Sequence, residues 1–448
     1  MNNSPRKPEQ RRGCLRLIAF FLLPAAFIFC ANRLLMKNDT TYYYTLLEMT
    51  HRDDIDVAFV GSSVVTYNID PQVVTGETGL VAYDAGIGSA GLPTSVEIAR
   101  QLFATNSPEL VVLVIDAMTL LQEEEDIQAQ IRMMSFIPGP IERMAYTLEL
   151  AAQDGKYLDR LLLFKLQPVT SADDVADNLE LYLDPAGYAY RHNLLAYSEH
   201  SYRGQGHVCV NRTPRKGELL QRLSVRSYDA EADSSLFPFT QRKLLEFKAL
   251  CEENGARLLV MFGPDMTVYR LSMVDYLAKY EGVADFCASH DMDFCDFTLA
   301  RPEFLPCLDD YYYDSYHMNG EGARLFSEKL SEFLMLYLTG QPVGHLFYAS
   351  QQEALDQVDF VTNVWLTGET RGDVLTVTAE SNHGPRVTPE YRFTHLNRNG
   401  EETELRGYAE GCTLSVPGEL KENGGCIVVY ARPKDDPGQQ PVCYEFAL

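Results

Sequence analysis

Positive charge is scarce in this sequence. The 448 residues include 38 Lys and Arg but 63 Asp and Glu, which gives a formal net charge of −25. Seven of the basic residues and only one acidic residue lie in the first 37 positions, so the rest of the chain carries a net charge of −31. A body this acidic repels polyanions. Nucleic-acid binding is therefore excluded as a class of function.

Metal-binding spacings are also missing. The ten cysteines include no C-x-x-C pair and no Cys/His spacing typical of a zinc site. Eight of them follow residue 37, and an even number permits disulfides in an oxidising compartment, so the pairing stays open. A buried free thiol is the simpler interpretation for Cys251, Cys287 and Cys295, which lie in apolar surroundings.

The N-terminal region combines a basic arm over residues 1–16 with an apolar run that starts at Leu17. The run is free of charge through Ala31 and reaches Met36 if Arg33 is included. Twenty residues are about what a helix needs to cross a bilayer. Because the basic arm precedes the run, the sequence predicts a single-pass signal anchor over residues 17–36, with the body outside the cell. A cleaved signal peptide and a buried core helix are the alternatives.

Residues 50–338 alternate short apolar runs with helical patterns, which is typical of an α/β domain with a parallel sheet. Three amphipathic stretches predict helices at 94–105, 240–254 and 322–338. A long insertion, residues 117–238, separates the third and fourth strands, and we expect it to lie over the carboxyl edge of the sheet. The predicted strands are 56–60, 80–83, 110–115, 257–262 and 293–297.

The C-terminal region changes character after a linker over residues 339–344. Residues 345–448 contain five short alternating runs, predicted as strands at 358–366, 374–379, 391–396, 412–416 and 426–431. The sequence Asn397-Arg398-Asn399-Gly400 between two of them is a hairpin signal. This pattern predicts a small β-sandwich.

The first predicted strand ends at Gly61-Ser62-Ser63, and a serine in this place exposes its hydroxyl at the carboxyl edge of a sheet. We predict Ser63 as a nucleophile, with Ser62 as the second choice. Asp314 and His317 lie three residues apart before a predicted helix, and a carboxylate so placed can orient an imidazole as a general base. The sequence therefore predicts a Ser63–His317–Asp314 triad.

Two other interpretations of these motifs compete. Gly86-Ile87-Gly88-Ser89-Ala90-Gly91 matches the dinucleotide fingerprint, but it follows the second strand and runs into a proline, which disfavours a nucleotide cofactor. Asp309, Asp310, Asp314 and His317 could ligate a metal, although no second cluster with recognisable spacing accompanies them. We expect neither a cofactor nor a metal.

Taken together, the motifs resemble those of the SGNH/GDSL hydrolase superfamily over roughly residues 50–338. The serine block matches Phe59–Ser63 and is followed by Asn68-Ile69-Asp70-Pro71, the second block looks like Asp84–Ser89, and the last block, D-x-x-H, matches Asp314 and His317. The resemblance implies a three-layer αβα, flavodoxin-like domain. It also implies an oxyanion hole formed by the backbone N–H groups of Ser63 and Ser89.

More narrowly, the chain resembles the membrane-anchored branch that includes D-alanine-transfer proteins of teichoic acid modification and exopolysaccharide O-acetylation proteins. That likeness implies an O-acyltransferase that modifies a cell-surface glycopolymer, and a membrane-bound O-acyltransferase partner that supplies the acyl group. The C-terminal domain resembles immunoglobulin-like modules of bacterial surface proteins, which serve as polymer-binding domains or as spacers.

One motif departs from the superfamily. The third block, G-x-N-D, is absent after the third strand, where the chain reads Val114-Ile115-Asp116-Ala117-Met118. Loss of one oxyanion donor typically costs about 10²–10³ in rate, which fits slow acyl transfer better than fast hydrolysis. An esterase or lipase with the same triad, a non-catalytic scaffold and a polymer-binding protein remain alternative functions.

Overall fold

The computed structural model of the chain describes most of its length, and the statements below concern these residues alone. The described ranges are 8–37, 40–120, 127–165, 168–185, 187–188, 200–212, 233–265, 276–306, 309–314, 316–357, 359–372, 374–439 and 441–448. The helices are α1 Pro8–Leu35, α2 Thr40–Thr50, α3 Ser63–Asn68, α4 Pro71–Thr78, α5 Leu92–Phe103, α6 Ala117–Leu120, α7 Ile127–Phe136, α8 Pro140–Asp154, α9 Tyr157–Leu161, α10 Ala172–Leu183, α11 Pro238–Glu253, α12 Tyr276–Ser289, α13 Gly320–Leu338, α14 Gln351–Asp356 and α15 Gly418–Asn423. The strands are β1 Val57–Gly61, β2 Ala82–Gly86, β3 Leu110–Ile115, β4 His200–Gly204, β5 His207–Val210, β6 Arg257–Phe262, β7 Asp293–Asp296, β8 Val361–Arg371, β9 Val374–His383, β10 Pro389–Leu396, β11 Glu402–Ala409, β12 Thr413–Val416, β13 Cys426–Pro433 and β14 Val442–Ala447.

A five-stranded parallel sheet forms the centre of the larger domain. Its strands run in the order β2-β1-β3-β6-β7. Counted within this sheet alone, the order is 2-1-3-4-5, which is the flavodoxin order. The predicted parallel sheet is therefore confirmed. Only β2 differs noticeably from its prediction of 80–83, because Asp84 interrupts the apolar run while the backbone keeps pairing with β1 through Gly86.

Both faces of this sheet are buried under helices. In β1, Ala58 and Val60 join one apolar core, whereas Val57 and Phe59 join another on the opposite face. Residues of α2, α5, α11 and α12 complete the first core, and residues of α3, α4 and α13 complete the second. A strand that is covered on both faces consists of consecutive apolar residues. These strands could therefore be predicted from the apolar runs in the sequence.

The predicted helices begin about two residues earlier than their apolar patterns suggested. Helix α5 starts at Leu92 rather than Thr94, and α11 starts at Pro238 rather than Thr240. Each has a proline in its first turn, where the missing N–H costs no intrahelical hydrogen bond.

The C-terminal region consists of two antiparallel sheets that share an apolar core. One has the order β12-β9-β8 and the other β11-β10-β13-β14. The predicted hairpin at 397–400 is confirmed: it joins β10 to β11, and the Gly400 N–H donates to the Asn397 carbonyl over 3.0 Å. Two strands, β11 and β14, were not predicted. The residues of β11 are largely polar and exposed, whereas β14 has apolar residues that are only partly buried and are interrupted by Glu445.

Eight cysteines have described side chains and are free, namely Cys30, Cys209, Cys251, Cys287, Cys295, Cys412, Cys426 and Cys443. Of these, Cys251, Cys287 and Cys295 are buried, as the sequence suggested. Burial raises the pKa of Cys251 and of Cys287 to about 12. These thiols therefore behave as small apolar side chains near neutral pH.

Hydrogen bonds with the body hold helix α1 near its C-terminal end. The Asn32 side-chain amide donates to the Leu161 carbonyl over 2.8 Å, and the Asn178 amide donates to the carbonyls of Leu34 and Met36. Among the residues described, no helix combines the length and the apolar character needed to cross a membrane. The anchor expected over residues 17–36 stays a prediction.

Asp84 is an unusual member of the second core. Its side chain is fully buried in β2, and neither carboxylate oxygen has a hydrogen-bond partner among the described residues. Burial raises the pKa of Asp84 well above its ordinary value, and the negative charge of Asp70 raises it further. The folded protein thus holds this proton more tightly than the unfolded chain does. The contribution of Asp84 to stability should be greatest below its unfolded-state pKa of about 3.9 and should be lost as the pH rises from there through its raised folded-state pKa.

An Asp84→Asn substitution tests this assignment, because an amide of similar shape cannot ionise. We expect the thermal midpoint of the variant to fall less between about pH 5 and about pH 8 than that of the wild type. Circular dichroism melts at the two pH values measure the difference. Asp285→Asn, at an exposed position of α12, is the control and should leave the pH dependence unchanged. Parallel pH profiles for wild type and Asp84→Asn would show that the buried carboxyl does not titrate as described.

Candidate active site

The candidate site lies where the parallel sheet changes direction. The chain leaves β1 for β2 on one side and later returns to β3 on the other, so the loops after β1 and β3 diverge at the carboxyl edge. In open α/β sheets this divergence forms the crevice in which ligands bind. Ser62 and Ser63 follow β1 directly, and Asp116 follows β3 directly.

The two adjacent serines have different roles in this loop. Ser62 is the N-cap of α3: its Oγ accepts from the Val64 N–H over 3.4 Å and donates to Oδ2 of Asp116 over 2.6 Å. The side chain is only 5% exposed. Ser63 is the first residue of α3, and its Oγ lies 2.7 Å from Nε2 of His317. Since Ser62 is committed to the cap and to Asp116, Ser63 is the serine available for chemistry.

His317 and Asp314 complete the arrangement that the sequence suggested. Nδ1 of His317 lies 2.7 Å from Oδ2 of Asp314, and Oδ1 of Asp314 accepts from the backbone N–H groups of Tyr316 and His317. The three predicted side chains therefore form one continuous chain of hydrogen bonds. Serine, imidazole and carboxylate in this order can activate the hydroxyl as a nucleophile.

The electrostatics of Asp314 favour its ionised form. Burial by itself raises the pKa of Asp314, but the hydrogen bond and charge of His317, together with the two backbone donors, outweigh it and lower the pKa below its ordinary value. An ionised carboxylate at Nδ1 holds the proton on that nitrogen. The lone pair of Nε2 then faces the Ser63 hydroxyl, as a general base requires.

Three tyrosine rings enclose the imidazole. The Tyr313 ring stacks on His317 at a centroid distance of 5.4 Å and an interplanar angle of 7°, and its hydroxyl lies 3.2 Å from Nδ1. Tyr316 and Tyr67 contact the same ring at centroid distances of 4.1 and 4.9 Å. His317 is 7% exposed, whereas all three tyrosines are partly exposed. The rings restrict rotation of the imidazole and supply an aromatic wall next to Ser63.

Asn68 joins the serine helix to the histidine loop. It is the last residue of α3, its side chain is fully buried, and it lies 248 residues before Tyr316 in the chain. Its Nδ2 donates to the Tyr316 carbonyl over 3.0 Å, and its Oδ1 accepts from the Met318 N–H over 2.7 Å. One amide side chain thus fixes the backbone on both sides of His317. Asn68 belongs to the motif that follows the serine block, but the sequence pattern alone gave it no role.

Asp116 is a second site residue that sequence reasoning missed. Besides accepting from Ser62, it accepts from the backbone N–H and hydroxyl of Thr119 over 2.9 and 2.8 Å. Its charge and that of Asp265, after β6, help to raise the pKa of Tyr316, although burial and Asp314 contribute more. An acidic residue directly after the strand beside the serine strand was the available signal. The crevice therefore carries several carboxylates, which disfavours an anionic group beside Tyr316.

Ser89 lies close to the serine loop, and its role as an oxyanion donor stays a prediction. It lies in the loop after β2, next to the serine loop at the same sheet edge, and it is exposed with a φ of 59°. A left-handed backbone at a residue other than glycine is unusual and is often found at functional sites. Ser63 likewise follows the strand end, and its backbone N–H is the second predicted donor.

The glycine pattern around Ser89 has a packing explanation. A Cβ on Gly86 would lie 2.6 Å from Oγ1 of Thr66 and 2.8 Å from the Ser62 carbonyl. Glycine at this position therefore lets the start of α3 approach the end of β2. Gly61 also has a close backbone neighbour, because a Cβ there would lie 2.5 Å from the Val114 carbonyl of β3. The dinucleotide interpretation is not needed to explain Gly86.

A metal site does not emerge near these carboxylates. Within the described ranges, no group of three or more His, Cys, Asp and Glu side chains is arranged to hold a metal ion. Asp310 instead contributes its backbone carbonyl, which accepts from the Asn319 side chain over 2.7 Å.

No protein-family model and no curated protein sequence matches this chain. Among solved structures, it is similar to a lipolytic protein assigned to the G-D-S-L family from Desulfitobacterium hafniense, with a TM-score of 0.29 and 10% identity over 62% of this chain and 97% of that one. It is also similar to a GDSL-like lipase from Bacteroides thetaiotaomicron, with a TM-score of 0.30 and 10% identity over 66% of this chain and 98% of that one. At these values the similarity does not assign the chain to a family.

Asn68→Ala should slow the reaction of Ser63 with a serine-directed phosphonate. Loss of both hydrogen bonds frees the backbone around His317, and a displacement of about 1 Å can cost roughly 10²-fold in rate. Labelling rates followed by mass spectrometry measure the effect.

Asn106→Ala provides the matched control for this substitution. Asn106 is also buried and donates to a backbone carbonyl, that of Met49, but it lies in the loop between α5 and β3. Both variants should lose about 1–3 kcal/mol of stability, and only Asn68→Ala should lose reactivity. Equal labelling rates in the two variants would contradict the role given to Asn68.

Proposed function

We propose that this protein is a serine-dependent acyl-transferring enzyme of the SGNH type that works through an acyl-Ser63 intermediate. The observation that carries the proposal is the pair of 2.7 Å contacts that link Ser63 to His317 and His317 to Asp314. The acceptor we favour is a hydroxyl group of a cell-surface glycopolymer.

In the first half-reaction, Oγ of Ser63 attacks the carbonyl carbon of an acyl ester or thioester. Nε2 of His317 takes the hydroxyl proton, and Asp314 stabilises the resulting imidazolium. When the tetrahedral intermediate collapses, the bond to the leaving group breaks and His317 returns the proton to that group. The acyl group is then bound to Ser63 as an ester.

In the second half-reaction, the acceptor hydroxyl donates its proton to Nε2 of His317 and attacks the acyl-serine carbonyl. The bond to Oγ of Ser63 breaks, and His317 protonates that oxygen to regenerate the serine. Water as the acceptor would make the same site an esterase. The aromatic wall formed by Tyr67, Tyr313 and Tyr316 supports a bulky organic acceptor, because it gives such a molecule apolar contact area beside the reacting serine.

The oxyanion hole in this proposal consists of the backbone N–H groups of Ser63 and Ser89. No asparagine follows β3, since Asp116 takes that position and binds Ser62 and Thr119 instead. A hole with fewer donors stabilises the tetrahedral intermediate less. Slow turnover is consistent with modification of a polymer.

Location and partners complete the proposal. The basic arm and the apolar run of residues 17–36 support membrane attachment with the body outside the cell. A membrane-bound O-acyltransferase would then deliver the acyl group from the cytoplasmic side. The C-terminal sheets would bind the polymer or act as a spacer.

Incubation of the protein with p-nitrophenyl acyl esters should produce a covalent adduct at Ser63. We expect Ser63→Ala to abolish the mass gain. Ser62→Ala should retain it at a rate reduced by about tenfold, because Ser62 supports the loop without reacting. Intact-mass spectrometry follows the adduct, and a persistent adduct in Ser63→Ala would transfer the nucleophile role to another residue.

Asp314→Asn should reduce the acylation rate by about 10³–10⁴-fold, because the amide no longer holds the required tautomer or stabilises the imidazolium. The variant retains a side chain that can accept from the N–H groups of Tyr316 and His317, so we expect the loop to keep its shape. An unchanged acylation rate would show that the carboxylate does not orient His317.

The decay of the acyl-enzyme separates transferase from esterase. If the protein is a transferase, decay should be slow in buffer and at least about tenfold faster with an oligosaccharide acceptor, which should gain the acyl group. Decay that is fast in buffer and indifferent to the acceptor would indicate an esterase.

A further inference from the structure

The exposed large apolar side chains of this protein are concentrated on four helices. Thirteen of the seventeen that the described residues contain belong to α1, α8, α9 or α10. Single exposed apolar residues are common on protein surfaces, but a contiguous group indicates a binding surface. The proposed chemistry at Ser63 does not use any of these side chains.

Helix α8 has apolar residues on two sides. Tyr146 and Leu150 on its inner side are buried in the core. On its outer side, Ile141, Met144 and Leu148 follow one another at intervals of three and four residues, with exposed fractions of 77%, 45% and 45%. The charge of Glu149 lies away from this outer stripe, because its carboxylate is 3.6 Å from Arg100.

Helix α10 repeats this arrangement. Its inner residue Leu181 is fully buried, whereas Leu179 and Leu183, four residues apart, are 48% and 76% exposed. Two exposed alanines, Ala172 and Ala176, extend the same stripe toward the start of the helix. Nothing among the described residues covers either stripe.

The exposed part of α1 indicates what covers this surface. Residues 22–27, which are Leu, Leu, Pro, Ala, Ala and Phe, are all exposed, and they span more than one full turn. The helix is thus apolar around its whole circumference, as expected for a helix surrounded by an apolar medium. A folded protein partner would cover one side. A lipid surface accounts for all sides.

The three surfaces adjoin one another. An apolar cleft of about 240 Å³ separates α1 from α8 and is lined by Ile28 and Phe29 on one side and Met144 on the other. The C-terminal end of α1 is hydrogen-bonded to α9 through Asn32 and to α10 through Asn178. Helices α8, α9 and α10 therefore surround the place where α1 meets the body.

We propose that residues 20–30 of α1 and the outer stripes of α8 and α10 form one lipid-contacting surface. The stripes lie in the interface of a bilayer, as amphipathic helices do, and Tyr157 of α9, which is 51% exposed, suits the headgroup level. Helices α8, α9 and α10 of the insertion thus hold the body of the protein at the membrane surface. The inference extends the proposed membrane location and does not depend on the acyl-transfer chemistry.

Tryptophan quenching by brominated phospholipids tests this surface in the full-length protein. The chain has one tryptophan, Trp365 in β8, so a Trp365→Phe background removes the native signal. Leu148→Trp, Leu183→Trp and Phe27→Trp are placed singly in that background and reconstituted into phosphatidylcholine–phosphatidylglycerol vesicles. Met335→Trp on α13 is the matched control, because Met335 is a helical apolar residue with 43% exposure outside the proposed surface.

We expect brominated lipid to lower the fluorescence of Leu148→Trp, Leu183→Trp and Phe27→Trp by about twofold or more, and that of Met335→Trp hardly at all. Quenching of Phe27→Trp alone would overturn the proposal, since the insertion would then stand clear of the bilayer. Quenching of none, as a protein-covered surface would give, or of all four equally would overturn it too. Adding Ser63→Ala to Leu148→Trp should leave the quenching unchanged, so a failure of the proposed chemistry cannot be mistaken for a failure of this surface. Circular dichroism melts confirm that each variant is folded.

Discussion

The candidate active site depends on a contact between two chain segments that are about 250 residues apart. Ser63 begins a helix of only six residues, and His317 lies in a loop before a different helix. The side chain of Asn68 spans the gap by mimicking a peptide group, with its donor and acceptor paired to the backbone of residues 316 and 318. The hydrogen bond with Met318 is buried and the one with Tyr316 is partly buried, so water competes poorly for them. The 2.7 Å contact between Ser63 and His317 follows from this attachment.

The surroundings of the triad combine aromatic packing with negative charge. Tyrosine rings enclose His317 and limit its rotation, while Asp116 and Asp265 approach the same crevice from β3 and β6. The carboxylate of Asp116 supports the serine turn through its hydrogen bond from Ser62. The site is thus organised to position Ser63 and His317.

The sequence predicted the elements that follow simple periodic rules. Buried parallel strands read as apolar runs, so β3 and β6 were placed with the observed bounds. Ser63 was predicted as a site residue because it follows such a strand, and Asp314 and His317 were predicted because they precede an apolar helix. What could not be predicted depends on tertiary contacts. Asn68 and Asp116 are ordinary polar residues until the fold brings the loops together, and the strand β11 exists because β10 pairs with it, although its own residues are mostly exposed. The limits of β2 were misplaced for a related reason. Asp84 is buried and has no hydrogen-bond partner for its carboxylate within the described part of the chain, which breaks the rule that buried strands are apolar.

The attachment of α1 has a mechanical consequence. Asn32 and Asn178 bind the last turn of this helix to the body through backbone carbonyls, and Val169 adds a further hydrogen bond to Leu35. A flexible hinge would let the body rotate freely relative to α1. These hydrogen bonds instead fix the orientation of the body relative to the C-terminal end of α1. Any structure that holds α1 in place therefore also fixes the direction in which the crevice opens and the distance of Ser63 from that structure. The direction from which a ligand can reach the crevice is then set by how α1 is held.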